Sequence, residues 1–146
     1  MTLLKDEMTA RLDAVGRIGM ETIGLLEHFE DRLDDPALRR LVASHAAAQR
    51  RVLERTADLR RERGDLPQTA DPERTHLDTA GAVVRAALLP GNASEHYVES
   101  LLDAADRVEE AIDDALSLEP PPEIRALLES FKRDNEDFRR VLRSRI

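Results

Sequence analysis

Three observations predict an all-α fold, a four-helix bundle with one short extra helix between its second and third long helices. Apolar residues recur at helical spacing over most of the 146 residues. The interruptions are few and are Pro or Gly signals: Asp35-Pro36, Gly64, Asp71-Pro72, Pro90-Gly91 and Pro120-Pro121-Pro122. The long segments between these breaks alternate in the sign of their net charge.

The first helix is expected from Thr2 to Leu33, with Met8, Leu12, Val15, Ile18, Ile23, Leu26, Phe29 and Leu33 as its apolar stripe. Asp35-Pro36 is a stop and a start together, because Asp caps the next helix and Pro suits a first helical turn. The second helix runs to Arg63 and stops at Gly64. Its inward positions are Leu38, Leu41, Val42, His45, Ala48, Val52, Thr56 and Leu59. Asp71-Pro72 repeats the start signal for a short Ala-rich helix ending near Leu89. Asn92-Ala-Ser-Glu95 resembles a capping box. It opens a third long helix to Leu118, with Val98, Leu101, Ala105, Val108, Ile112 and Ala115 inward. After the proline run, the fourth helix buries Ile124, Leu127, Leu128, Phe131, Phe138 and Val141.

Connection lengths predict the topology. The first and second connections within hairpins, at 34–35 and 119–121, are short, so each pair is antiparallel. The segment between the second and third long helices contains its own helix, residues 72–89. At about 1.5 Å per residue that helix covers roughly 25 Å. It carries the chain back along the bundle and leaves the second and third long helices parallel. Net charge is −4 over 1–34, +5 over 36–63, −8 over 92–119 and +2 over 122–146. Opposite signs favour the two sequential hairpins, as a summed effect rather than through single pairs.

Composition bounds the function. There is no cysteine, which excludes disulfides, thiolate metal sites and a Cys nucleophile. The aromatic residues are Phe29, Tyr97, Phe131 and Phe138, too few for a base-stacking platform, and the net charge of −8 opposes nucleic-acid binding. No stretch approaches the roughly 20 apolar residues of a membrane span. The N-terminal residues carry Lys5, Asp6 and Glu7 and lack a secretory apolar stretch. A cytoplasmic location is expected. No phosphate loop, nucleophile elbow or Ser/His/Asp arrangement is present.

Four segments resemble a bacterial ferritin-like family of unknown function whose members are four-helix bundles: Asp35-Pro-Ala-Leu-Arg-Arg-Leu41, Leu59-Arg-Arg-Glu-Arg-Gly-Asp-Leu-Pro67, Ala86-Ala-Leu-Leu-Pro-Gly-Asn92 and Pro121-Pro-Glu-Ile-Arg-Ala-Leu-Leu-Glu129. The likeness spans residues 20–145. These segments mark turns and helix starts, so the resemblance implies a ferritin-like bundle with a crossover helix and no established activity. Members of the family often carry acidic residues or His near mid-bundle. At the corresponding places this chain has Ile23, Arg55, Ala105 and Arg139. A di-iron centre in such a bundle takes Glu-x-x-His from two helices, because i and i+3 project to one side. The one Glu-x-x-His here is Glu73-Arg-Thr-His76, at a helix start. There Glu73 already has a reason to be, in favourable placement against the helix dipole.

Candidate sites remain. His45-Ala-Ala-Ala-Gln49 puts an imidazole and an amide on one inner face. It reads either as a metal or oxygen site similar to the His-x-x-x-Glu of hemerythrin-like proteins, or as a hydrogen-bonded polar layer with Asn135. The second reading is preferred because buried polar groups are usually paired. Glu27, His28 and Glu30 with Glu21 offer ligands but flank the apolar stripe, and a solvated surface is preferred.

Glu95, Glu99, Asp103, Asp106, Glu110 and Asp113 form an acidic ladder opposite the stripe of the third long helix. A solubilising face is the preferred reading, the other being a docking surface for a basic partner or weak divalent-cation binding, and arginines are expected nearby. Gly16, Gly19 and Gly24 each cost about 1 kcal/mol relative to Ala in a helix. They suggest close approach by another helix, either the crossover through Ala80, Gly81, Ala82, Ala86 and Ala87 or a second subunit, or else a local kink.

The expected function is non-catalytic association, with a homodimer as the default and a basic protein as a further partner; no cofactor, nucleic acid or membrane is expected. The competing class is a metal-dependent oxidoreductase built around His45, Glu21 and carboxylates of the last two helices.

Overall fold

The computed structural model describes residues 2–62, 64 and 93–145, with side chains from Glu7 onward in the first helix and from His96 onward in the third. Four helices are described: α1 (Thr2–Glu30), α2 (Pro36–Glu62), α3 (Ala93–Leu116) and α4 (Pro122–Arg143). Among the described residues there is no strand. The expected crossover helix 72–89, with Glu73 and His76, lies outside them.

Local chemistry sets the helix ends. The chain leaves α1 as Arg32 and Leu33 donate their backbone N–H groups back to Phe29 O, at 2.9 and 3.1 Å. Asp35 then caps α2, its Oδ1 accepting from Ala37 N–H at 2.9 Å. Gly64 ends α2 at φ +79°, a left-handed conformation that costs glycine nothing. Glu119 takes the same region after α3, at φ +53°, with a side chain that disfavours it. Pro121 and Pro122 open α4 without a side-chain cap, and Glu123 in the first turn complements the helix dipole.

Around the bundle the order is α1–α2–α4–α3, because α1 packs on α2 and α3, and α4 packs on α3 and α2. Every neighbouring pair is antiparallel. Glu27 and Asp13 of α1 meet Arg50 and Arg60 of α2. Phe29 and Arg11 of α1 meet Tyr97 and Asp114 of α3. Asp106 and Asp113 of α3 meet Arg139 and Lys132 of α4. Asp35 at the start of α2 meets Arg145 beyond the end of α4. The diagonal pair α2 and α3 therefore runs parallel, the direction that a long return connection predicts.

The core divides into two apolar clusters. One gathers around Leu26, Phe29, Val42, Leu101, Phe138 and Leu142. The other gathers around Val15, Ile23, Leu53, Ile112, Leu128 and Phe131. Of the expected stripes Met8, Ile18, Leu41, Ala48, Val52 and Leu127 are half-buried, and the rest are buried with one exception. Val141 stands 37% exposed, and Leu142 takes the inward place, fully buried. The α4 seam steps Phe131, Asn135, Phe138, Leu142, so Val141 falls on its shoulder.

The glycines of α1 do not act as one surface. A Cβ on Gly19 would lie 2.7 Å from Leu53 Cδ1, so Gly19 admits a side chain of α2; the expected crossover residues Ala80, Gly81, Ala82, Ala86 and Ala87 lie outside the described residues. Around Gly16 no atom of the described residues stands within 4 Å of a Cβ. Gly24 is half-buried.

Candidate functional site

The polar residues at mid-bundle come together. On α2, Gln49 lies between Ala46 of one core cluster and Leu53 of the other; on α4, Asn135 lies between Phe138 and Phe131 in the same way. Gln49 and Asn135 are fully buried and His45 nearly so. The His45 and Gln49 Nε2 atoms are 2.7 Å apart, as i and i+4 on one face require. Asn135 donates through Nδ2 to the backbone oxygen of Ala105, at 2.8 Å, and its side chain lies beside His45. The opposite edge of the layer is therefore tied to α3.

Burial holds the His45 pKa down to about 4, offset in part by the Asn135 hydrogen bond. The imidazole is thus neutral at pH 7, with one ring nitrogen donating and the other accepting. As placed, Gln49 Oε1 and Asn135 Oδ1 are buried without a hydrogen-bond partner among the described residues. Exchanging the two ends of the Gln49 amide puts Oε1 against the ring, where the Nε2–H tautomer of His45 donates to it. This arrangement separates two apolar clusters and fixes the register of α2 against α4.

The other ligand candidates are not assembled around it. His45 lines a groove of about 200 Å³ between α2 and α4, with Ser44, Asp134, Asp137 and Phe138. Glu21 lines a groove of about 360 Å³ between α1 and α3, on the other side of the bundle. Glu27 is exposed and paired with Arg50. Among the described residues no three His, Cys, Asp or Glu side chains stand together as a metal site. Glu21 is thus separated from His45, whereas Asp134 and Asp137 of α4 share the His45 groove.

On α3, Glu99, Asp103, Asp106, Glu110 and Asp113 are all exposed; the side chain of Glu95 lies outside the described residues. The expected arginines are present at the edges of this face. Asp106 and Glu109 hold Arg139, Asp113 holds Lys132 at 2.7 Å, and Asp114 reaches Arg11 at 3.8 Å. Among the described residues Asp103 and Glu110, along the middle of the face, have no ion pair, and Glu99 pairs with His96 at 3.8 Å.

Two features escaped the sequence reading. Asp13 and Arg60 form an ion pair at 2.8 Å, with the Arg60 side chain 3% exposed. Arg11, Arg17 and Arg107 gather in the α1–α3 groove beside Glu21, Glu110 and Asp114. The signal for the second was Arg107, the single basic residue in the acidic 92–119 segment.

These residues define an all-α bundle with a neutral polar layer at its centre and a one-signed outer face. Neither a protein-family model, nor a curated protein, nor a solved structure matches this chain. No helix among the described residues is long and apolar enough to cross a membrane.

Proposed function

We propose that the chain is a ferritin-like bundle of the cytoplasm that works by association, with a second copy or a basic protein, rather than by catalysis. The observation that carries this reading is the exposed middle of α3. Glu99, Asp103 and Glu110 form no ion pair with a Lys or Arg among the described residues, while their flanking acids are paired within the chain. A merely solubilising surface gains from interspersed signs, whereas a one-signed strip attracts an oppositely charged surface and repels like ones. The mid-bundle layer supports a scaffold role, since its side chains are engaged with each other and with the Ala105 carbonyl.

The test compares wild type with the triple variant Glu99→Gln, Asp103→Asn, Glu110→Gln. Each is purified from native extract at low salt, and associated chains are quantified, including a differently tagged second copy. Wild type is expected to retain an associated chain that the variant loses, with identical helical content in both. Equal association in both, or none in wild type, defeats the reading.

A further inference from the structure

We infer that the groove between α1 and α3 binds a free α-amino acid with an aliphatic side chain. The inference goes beyond the association reading and needs no second chain. At about 360 Å³ the groove lies at the lower end of the volumes that hold small molecules, roughly 300–1,000 Å³. Its floor is apolar, formed by Ala14, Ile18 and Ala111, and its rim carries three arginines and three carboxylates.

The register of the two helices opens the floor. Arg11 against Asp114 and Phe29 against Tyr97 fix the antiparallel pairing. Counted from these contacts, Ala14 stands level with Ala111, and Ile18 with Arg107. Two facing alanines leave the gap, and longer charged side chains border it.

Those charges are held apart. Arg17 Nη1 stands 3.9 Å from Glu21 Oε1, and Arg11 Nη1 stands 3.8 Å from Asp114 Oδ2, both beyond hydrogen-bond length. Elsewhere the helices close their pairs, Arg60 on Asp13 and Arg139 on Asp106 at 2.8 Å, and Lys132 on Asp113 at 2.7 Å. Arg107 and Glu110 form no hydrogen bond or ion pair among the described residues, although both border the groove. As i and i+3 on α3 they share a face, roughly 5–6 Å apart at Cβ. An uncommitted cation and an uncommitted anion therefore stand side by side over an apolar floor, with Arg17 on the facing helix.

This arrangement suits a single carbon that bears both a carboxylate and an ammonium. The carboxylate takes the guanidinium groups of Arg107 and Arg17, whose fork of donors matches it. The ammonium donates to Glu110. The side chain of the amino acid lies on Ala14, Ile18 and Ala111 and removes apolar surface from water. Arg11 and Asp114 face each other at the far end as a neutral wall. Ligands of one sign are disfavoured, because a carboxylate alone meets Glu110 and Glu21, and an amine alone meets the arginines. With an open groove and few contacts, the dissociation constant is expected on the order of 1 mM.

Heteronuclear NMR of the full chain tests this with three probes: leucine, isocaproate, which lacks only the ammonium, and isopentylamine, which lacks only the carboxylate. Leucine up to about 20 mM is expected to shift the backbone signals of residues 14–18 and 107–111 along a saturating curve. Each analogue is expected to bind at least about tenfold more weakly, having lost one charge-assisted contact. Arg107→Gln and Glu110→Gln are each expected to weaken leucine about tenfold with the thermal midpoint unchanged, since both side chains are exposed. The double variant Glu99→Gln/Asp103→Asn alters the acidic face outside the groove and is expected to bind leucine as wild type does. Failure of the association reading would leave all of these outcomes in place. No saturable shift with leucine overturns the site, and so does a loss of binding in the Glu99/Asp103 variant. Either analogue binding as tightly as leucine overturns the amino-acid assignment, as does leucine binding that survives in both Arg107→Gln and Glu110→Gln.

Discussion

The imidazole of His45 lies flat on the ring of Phe138, their centroids 3.8 Å apart and their planes within 10°. One face of the histidine is thereby sealed by α4, while its edge reaches Gln49 in its own helix. Burial on this scale disfavours the imidazolium and explains the pKa near 4.

Stability should accordingly depend on His45 in acid. The unfolded chain takes up the proton near pH 6.5 and the folded chain only near 4, so the unfolded state binds more protons between these values. The neutral histidine's contribution is complete above pH 6.5 and is lost as pH falls toward 4, by about 3 kcal/mol. Urea unfolding at pH 7 and pH 4.5 should show a larger loss for wild type than for His45→Leu. Equal losses in the two proteins would show that His45 is not held neutral by burial.

Gly19 and Gly16 should respond in opposite ways to added volume. Gly16→Ala meets open space and relieves a helix penalty, and is expected to stabilise by about 0.5–1 kcal/mol. Gly19→Leu drives into Leu53 and is expected to cost about 1–3 kcal/mol. That cost should shrink in a Leu53→Ala background, because the clash is with that one side chain. A double-mutant cycle by thermal unfolding reads the coupling; additive effects would contradict the contact.

The Asp13–Arg60 pair should be costly to break from the acid side. With Arg60 nearly inaccessible, Asp13→Ala takes one carboxylate from a buried guanidinium and is expected to lose about 1–3 kcal/mol. Arg60→Met with Asp13→Ala should recover part of that loss, since a methionine of roughly the arginine's length needs no charge partner. Denaturant midpoints of the single and double variants decide the matter, and a double variant no better than Asp13→Ala would refute it.

Glu119 should be improvable. Its positive φ is a conformation that a side chain disfavours and glycine adopts freely, and its own side chain is exposed. Glu119→Gly is expected to raise the unfolding free energy by about 0.5–1 kcal/mol, despite glycine's greater freedom in the unfolded chain. A fall in thermal midpoint would mean that the turn between α3 and α4 depends on the glutamate itself.

Helix existence, most helix ends and the inward stripes were legible because they are local. A 3.6-residue period, a capping Asp35 and a glycine at 64 act within a few residues of themselves. The burial of His45, Gln49 and Asn135 was legible too, since all three fall on the inward faces of their helices. Which helix lies beside which was not. Local charge favoured α1 with α2 and α3 with α4, and those hairpins formed. It said nothing of the other two sides, where packing set two acidic helices together and two basic helices together. The clustering of Arg11, Arg17 and Arg107 in the α1–α3 groove makes sense only after that adjacency exists. Gly19 shows the same division. The sequence marked it as a place of close approach, but Leu53 was selected by the register between two helices, and register is decided by the whole core at once.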